Sequence, residues 1–266
     1  MRPVIAQEFK QRRLGILFWC LGSVIYTLLV TAVYKSFVTN QTVNLGQTIQ
    51  KLPDTVKSFT SITSSFNTPS GFLSSEPYYV VLPIIFLVLA ISLASGLLAR
   101  EEAGKTLELL LARPLGRGRL LAAKALAGIL ILAVVNIVAG LAMTILTRVF
   151  GIHIGVGLLW EAQAMLYLLA LLFGALAFMI TAIGRAGHSA ALGIAMLLAI
   201  GGYVLTSLEG AVHWLHTPAR LLPYHYYQPA KILNGTFTTR PAIGFAIIAL
   251  IFGIIAWLAF RRRDIA

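Results

Sequence analysis

Hydrophobic positions along this chain do not alternate with polar ones; they come in blocks. Six stretches carry no Asp, Glu, Lys or Arg: Leu14–Tyr34, Pro77–Ala99, Ala125–Thr147, Ala162–Gly184, Ala186–Leu208 and Pro241–Phe260, each 20 to 23 residues long. About 20 apolar residues in a helix cross a hydrocarbon layer of roughly 30 Å. A barrel strand alternates its two faces and needs only about 9–11 residues. The blocks therefore predict an all-α integral membrane fold with six transmembrane helices, built as a single transmembrane domain over residues 1–266.

The segments between the blocks have patterns of their own. Residues 1–13 set Val4, Ile5 and Phe9 against Lys10, Arg12 and Arg13, which predicts a short helix lying in the membrane interface. Residues 35–76 are rich in Ser, Thr and Asn, yet Leu45, Ile49, Leu52, Val56, Phe59, Ile62 and Phe66 recur at steps of three and four. That is an amphipathic helical stripe, interrupted by Pro53 and ended by the turn chemistry of Asn67 to Gly71. It is expected to pack on the outer membrane face or on a partner subunit. Gly184 to His188 is a link so short that spans four and five must be antiparallel neighbours. Residues 209–240 are apolar and aromatic for a loop, with Trp214, Tyr224, Tyr226 and Tyr227 among Pro218, Pro223 and Pro229. Two short helices joined at Pro223 and dipping into the outer leaflet are expected, since irregular backbone at that depth needs a protein or water cover.

Composition agrees with the pattern. Charged residues make up 11% of the chain, against about 25% in soluble domains, and the mean hydropathy is +0.86. Charge then orients the helices. With a cytoplasmic N-terminus, fourteen of the 21 lysines and arginines fall inside and seven outside, so both termini are expected in the cytoplasm of a multi-pass plasma-membrane protein. The net charge of +12 is thus a topology signal, with membrane lipid headgroups as the expected partner and no nucleic acid. The first block is too long for the core of a cleavable signal peptide, and no cleavage motif follows it before Lys35, so it is expected to remain as a span. The single cysteine, Cys20, lies inside that block, which leaves no disulfide framework.

One polar segment is richer than a turn requires. Within the cytoplasmic loop 100–124, Arg100 to Arg119 holds four arginines, a lysine and three glutamates around a block of leucines. Thr106 to Arg113 contains strong helix formers, with Leu107, Leu110 and Leu111 on one side, and Pro114 is a stop signal. A greasy face on a charged cytoplasmic helix has two readings: it fills a protein groove, or it rests on headgroups. Gly104-Lys105-Thr106 imitates the end of a phosphate-binding loop. The earlier glycine of that pattern is replaced by Ala99, and a span rather than a strand precedes it, so no nucleotide site is expected here.

Other candidates are sparse. Asn136 near the middle of span three, and Ser92 and Ser95 in span two, read either as hydrogen-bonded helix glue, at about 1 kcal/mol each, or as pathway lining. The spans hold no deep ionisable residue of the kind that proton- and ion-coupled transporters use. His213, His216 and His225 share the outer loop with Glu209, but a metal needs three or four converging ligands, so interfacial packing is expected. An integral membrane enzyme acting on lipid would need convergent carboxylates, a serine with a base, or a metal cluster. Glu161 and Glu209, both at the outer edge, have no such partner. A passive channel or a scaffold protein is the third class.

Resemblance separates these classes. Glu101-Glu102, Thr106-Leu107-Glu108-Leu109-Leu110-Leu111, Arg113-Pro114 and Lys124 resemble the cytoplasmic loop of ABC-2-type transporter permeases, whose pattern runs from an acidic pair through Gly-Thr-Leu-Glu, a leucine run and a proline to a lysine opening span three. Leu52-Pro53, Pro69 to Leu73 and Pro223 to Ala230 are similar to the same family, and the likeness covers essentially the whole chain. Lys105 departs from it by separating Gly104 from Thr106. The resemblance implies the membrane subunit of an ATP-driven exporter with a type V exporter-like fold, not itself an enzyme. Glu101, Glu102, Thr106, Leu107, Glu108, Leu110, Leu111 and Pro114 would then form the coupling helix that engages a separate ATP-binding subunit. That subunit, in two copies, would carry ATP and Mg, with no cofactor on this chain, and a second permease subunit would complete a homodimer or heterodimer.

Overall fold

The computed structural model describes residues 2–39, 68–103, 117–184, 188–209 and 212–262. Among them every regular element is helical. Helix α1 is Arg2–Thr39, α2 is Pro69–Ser75, and a π-helical turn over Glu76–Val81 leads into α3, Leu82–Ala103. Then come α4 (Arg117–Val149), α5 (Val156–Ile183) and α6 (His188–Ser207). A 3-10 turn at His213–Leu215 and the short helices α7 (His216–Ala219), α8 (Pro223–Tyr226) and α9 (Pro229–Leu233) precede α10, Arg240–Arg262. Among the described residues, six helical runs are long and apolar enough to cross a membrane, with α2 and α3 counted as one.

Local chemistry sets several boundaries. The Thr68 hydroxyl accepts the N–H of Gly71 and Pro69 takes the first helical position, so α2 begins with its free donors satisfied. Pro77 and Pro83 both lack the N–H that an α-helical ladder needs. Between them the N–H of Leu82 reaches back to the carbonyl of Pro77, which produces the π turn. Gly184 ends α5 in the left-handed region at φ 73°, where a Cβ would be strained.

Packing sorts the helices into an inside and an outside. Helix α5 lies against α3 and α10, with α4 and α6 beside it, and α1 runs along α4. Two thirds of the α2–α3 span is buried (67%), against 22% for α1 and for α10. The inner contacts rest on small residues: a Cβ on Gly174 of α5 would stand 3.3 Å from the Ala90 Cβ and 3.4 Å from its carbonyl oxygen on α3. Close backbone approach of this kind is how helices associate where lipid supplies no hydrophobic drive. Helix α6 shows the same sorting, with Ala191, Ala195 and Ala199 buried while Ile194, Leu197 and Leu198 are exposed.

Three features differ from the pattern-based expectations. The expected interfacial helix and the first span form one unbroken rod, α1, because residues 2–13 contain no breaker after Pro3 and are tied inward through Glu8. Helix α4 starts seven residues before Lys124, so that lysine belongs to the helix and is fully buried. The segment before α10 is cut into more pieces than two, since Pro223 and Pro229 each open a new short helix. The stripe at 45–66 and the loop at 104–116 lie outside the described residues, as do Arg185 to Gly187.

Candidate functional site

The long helices gather Arg12, Arg119, Lys124, Arg261 and Arg262 at one end of the bundle, the end from which α3 leads into residues 104–116 and α4 leads out. Here Glu8 of α1 and Lys124 of α4 are buried together. Lys124 Nζ donates to Glu8 Oε1 at 2.9 Å and to the Leu97 carbonyl of α3 at 2.7 Å. Arg12 Nε donates to Glu8 Oε2 at 3.0 Å, and its Nη2 donates to the Gly96 carbonyl at 3.0 Å. One carboxylate thus faces two cations, and the second charge is spread onto two helix carbonyls that have a lone pair to spare. Removing one partner of such a buried pair costs about 3–5 kcal/mol, because the other charge is left unpaired in a dry place. The cluster ties α1 to α3 and α4. Glu101 and Glu102 continue the last turn of α3, while Thr106, Leu107, Glu108, Leu110, Leu111 and Pro114 lie outside the described residues.

Further from the basic end, Asn136 of α4 meets Gln163 of α5. Asn136 Nδ2 donates to the Gln163 backbone carbonyl at 3.2 Å, and Gln163 Nε2 donates to the Asn136 backbone carbonyl at 3.1 Å. The Tyr78 hydroxyl donates to Gln163 Oε1 at 3.3 Å, and the Tyr227 hydroxyl to the Tyr78 carbonyl at 2.7 Å. Each amide dipole is answered by protein, as an apolar surrounding demands. Gly140 makes the approach possible, since a Cβ there would lie 3.1 Å from Gln163 Cγ and 3.2 Å from the Trp160 ring. Ser95 is buried and its hydroxyl donates to the Ile91 carbonyl one turn back at 2.8 Å, within α3; Ser92 is half-buried.

The end opposite the basic one is aromatic. Tyr224 packs edge-on against Tyr203 and Tyr227, with ring centres 5.4 and 6.1 Å away, and lies 6.4 Å from Phe173. Its hydroxyl finds no partner among the described residues. Burial holds the phenols of Tyr224 and Tyr227 protonated well above the usual tyrosine range. Glu209 is shared between His216 Nδ1, 2.6 Å from Oε1, and His225 Nδ1, 2.9 Å from Oε2. The His213 side chain is outside the described residues. Among those residues no group of three or more His, Cys, Asp and Glu side chains is placed to hold a metal.

Of the candidates named from sequence, Asn136 enters an interhelical network and Ser95 bonds within its own helix. Glu8, Gln163 and Tyr78 were missed, and Tyr227 was read only as one of the outer-loop aromatics. Glu8 left a trace, being the one acidic residue in a basic N-terminal segment; Gln163 is the one amide inside its apolar block. Nothing local marks Tyr78 or Tyr227 among their neighbouring tyrosines. A family model described as ABC-2 family transporter protein matches residues 2–265. No curated protein matches the chain.

Proposed function

The chain belongs to the ABC-2 family of transporter proteins, and from that premise we propose that it is the permease subunit of an ATP-driven exporter. The observation that carries this reading is the reach of the match, which takes in all six spans and the loop between α3 and α4 together. In this reading residues 106–113 form a cytoplasmic coupling helix that seats in a groove of a separate ATP-binding subunit. Leu107, Leu110 and Leu111 fill the groove, Glu101, Glu102 and Glu108 make polar contacts at its edge, and Pro114 ends the helix. Two permease chains, identical or sister, work with two ATP-binding subunits at the plasma membrane. ATP and Mg belong to those subunits.

The basic end supports a mechanical account. A push on the coupling helix arrives at α3 and α4, the two helices that bracket it. The Glu8–Arg12–Lys124 cluster ties both to α1, so the three helices rock as a unit instead of sliding past one another. Alternating exposure of the pathway follows from that rocking against α5, α6 and α10. The test is purification in mild detergent with the ATP-binding subunit. An ATPase that co-purifies and is stimulated by the chain is the expected result. Leu110→Asp and Glu108→Lys are expected to abolish coupling while leaving membrane insertion intact; normal ATP-driven transport by either variant overturns the reading.

A further inference from the structure

A cavity of about 280 Å³ opens between α3, α4, α5 and α10. Its walls are built from small side chains, among them Ala90, Ala94, Gly128, Gly174, Ala249 and Gly253, and every residue that lines it is apolar. Ile129 of α4 and Leu250 of α10 line it and are exposed, so its mouth faces lipid between those two helices. At the basic end the same two helices close up. A Cβ on Gly118 of α4 would fall 2.8 Å from Trp257 Nε1 of α10. The Arg261 guanidinium lies 4.5 Å over the Trp257 ring; Arg262, next to it in sequence, and Arg119, next to Gly118, are exposed at the same end.

Helix geometry joins cavity and rim. At about 1.5 Å per residue, Trp257 stands about 6 Å beyond Gly253 along α10, and Arg261 about 12 Å beyond it. Cavity, aromatic ring and cations therefore follow one another from the bilayer interior to the surface, the order of acyl chain, glycerol and phosphate in a phospholipid. We propose that this is a binding site for one anionic phospholipid of the leaflet at the basic end. One acyl chain lies in the cavity, the glycerol region lies against Trp257, and the phosphate is held by Arg261 with Arg119 and Arg262.

Size and chemistry choose this occupant. Pockets for whole drug-sized ligands run to about 300–1,000 Å³, so this one takes a chain and leaves a headgroup outside. A polar ligand inside would find no side-chain hydrogen-bond partner on a wall of apolar residues. Chain burial alone selects nothing, because lipid tails outside are as apolar as the wall. Selection comes from the rim. A guanidinium matches phosphate geometry, the stack on Trp257 holds Arg261 in place, and tryptophan itself favours the headgroup level. The site stands independently of the exporter reading.

Native mass spectrometry of the full chain, extracted from vesicles of phosphatidylcholine mixed with phosphatidylglycerol, tests it. The expected result is one retained phosphatidylglycerol per chain. Gly253→Leu should abolish that retention, since a Cβ at this position meets nothing within 4 Å and the longer side chain enters the cavity. Ala246→Phe at the exposed mouth gives the same loss if the first variant does not insert. Arg261→Gln should reduce retained phosphatidylglycerol by about fivefold, the effect of one cation at a membrane surface, with phosphatidylcholine unchanged. Equal retention of both lipids, or undiminished phosphatidylglycerol in both cavity variants, overturns the proposal. So does loss of dimer mass instead of lipid mass in those variants, which would assign the cavity to a second copy of the chain.

Discussion

The two ends of the molecule are held by opposite means. At the basic end three mostly buried charged side chains and two helix carbonyls lock α1, α3 and α4. Toward the other end the contacts between the long helices are neutral and distributed, an amide exchange between α4 and α5 and two tyrosine hydroxyls with edge-on rings beside them, while the Glu209–histidine pairs lie in the partly exposed segment after α6. A charge cluster concentrates its energy in a few atoms and fails abruptly. A neutral network loses one bond at a time. The abrupt joint lies beside the loop proposed to receive force, and the graded one lies where the short helices α8 and α9 fold back onto the bundle.

Three substitutions probe that contrast. Lys124→Met should have the largest effect, about 3 kcal/mol of lost stability, the low end for breaking a buried pair, because Glu8 would remain buried with Arg12 as its one cation. Thermal unfolding in detergent would register it, and the triple variant Glu8→Leu/Arg12→Met/Lys124→Met should recover most of the loss, since no charge of the cluster is then left unpaired. Failure of the triple variant to recover would mean the cluster acts through packing. Gln163→Leu should cost about 1–3 kcal/mol, leaving the Tyr78 hydroxyl and the Asn136 carbonyl without their partner. The smallest change is expected from His216→Ala, whose imidazole is 49% exposed; solvent screening should hold its loss of the Glu209 contact within about 1 kcal/mol, read in the same unfolding assay. A larger loss there would show that the aromatic end is also held by charge.

Much of the site escaped the sequence for a specific reason. The Glu8–Lys124 contact joins residues 116 positions apart, and only folding brings them together. Charge counting placed Lys124 among wet residues because it borders an apolar block; burial became possible once Glu8 and the Leu97 carbonyl accepted hydrogen bonds from its ammonium group. Asn136 was legible as a polar residue at depth, but its exchange with Gln163 depends on Gly140 letting two backbones close. The break at Pro223 and the tight link at Gly184, by contrast, were legible locally, while the helices that open at Pro69 and Pro229 were not separated from turn and loop.

The sequence by itself determined how many times the chain crosses the membrane and that it does so as helices. Both follow from transfer of about 20 apolar residues and their backbone into lipid, a cost each segment meets alone. Which helices lie inside was decided only by the tertiary structure. Lipid and protein interior are equally apolar, so hydropathy cannot tell the buried α3 and α5 from the lipid-facing α1 and α10. That choice rests on where small residues let backbones meet and where a polar group finds its partner on another helix.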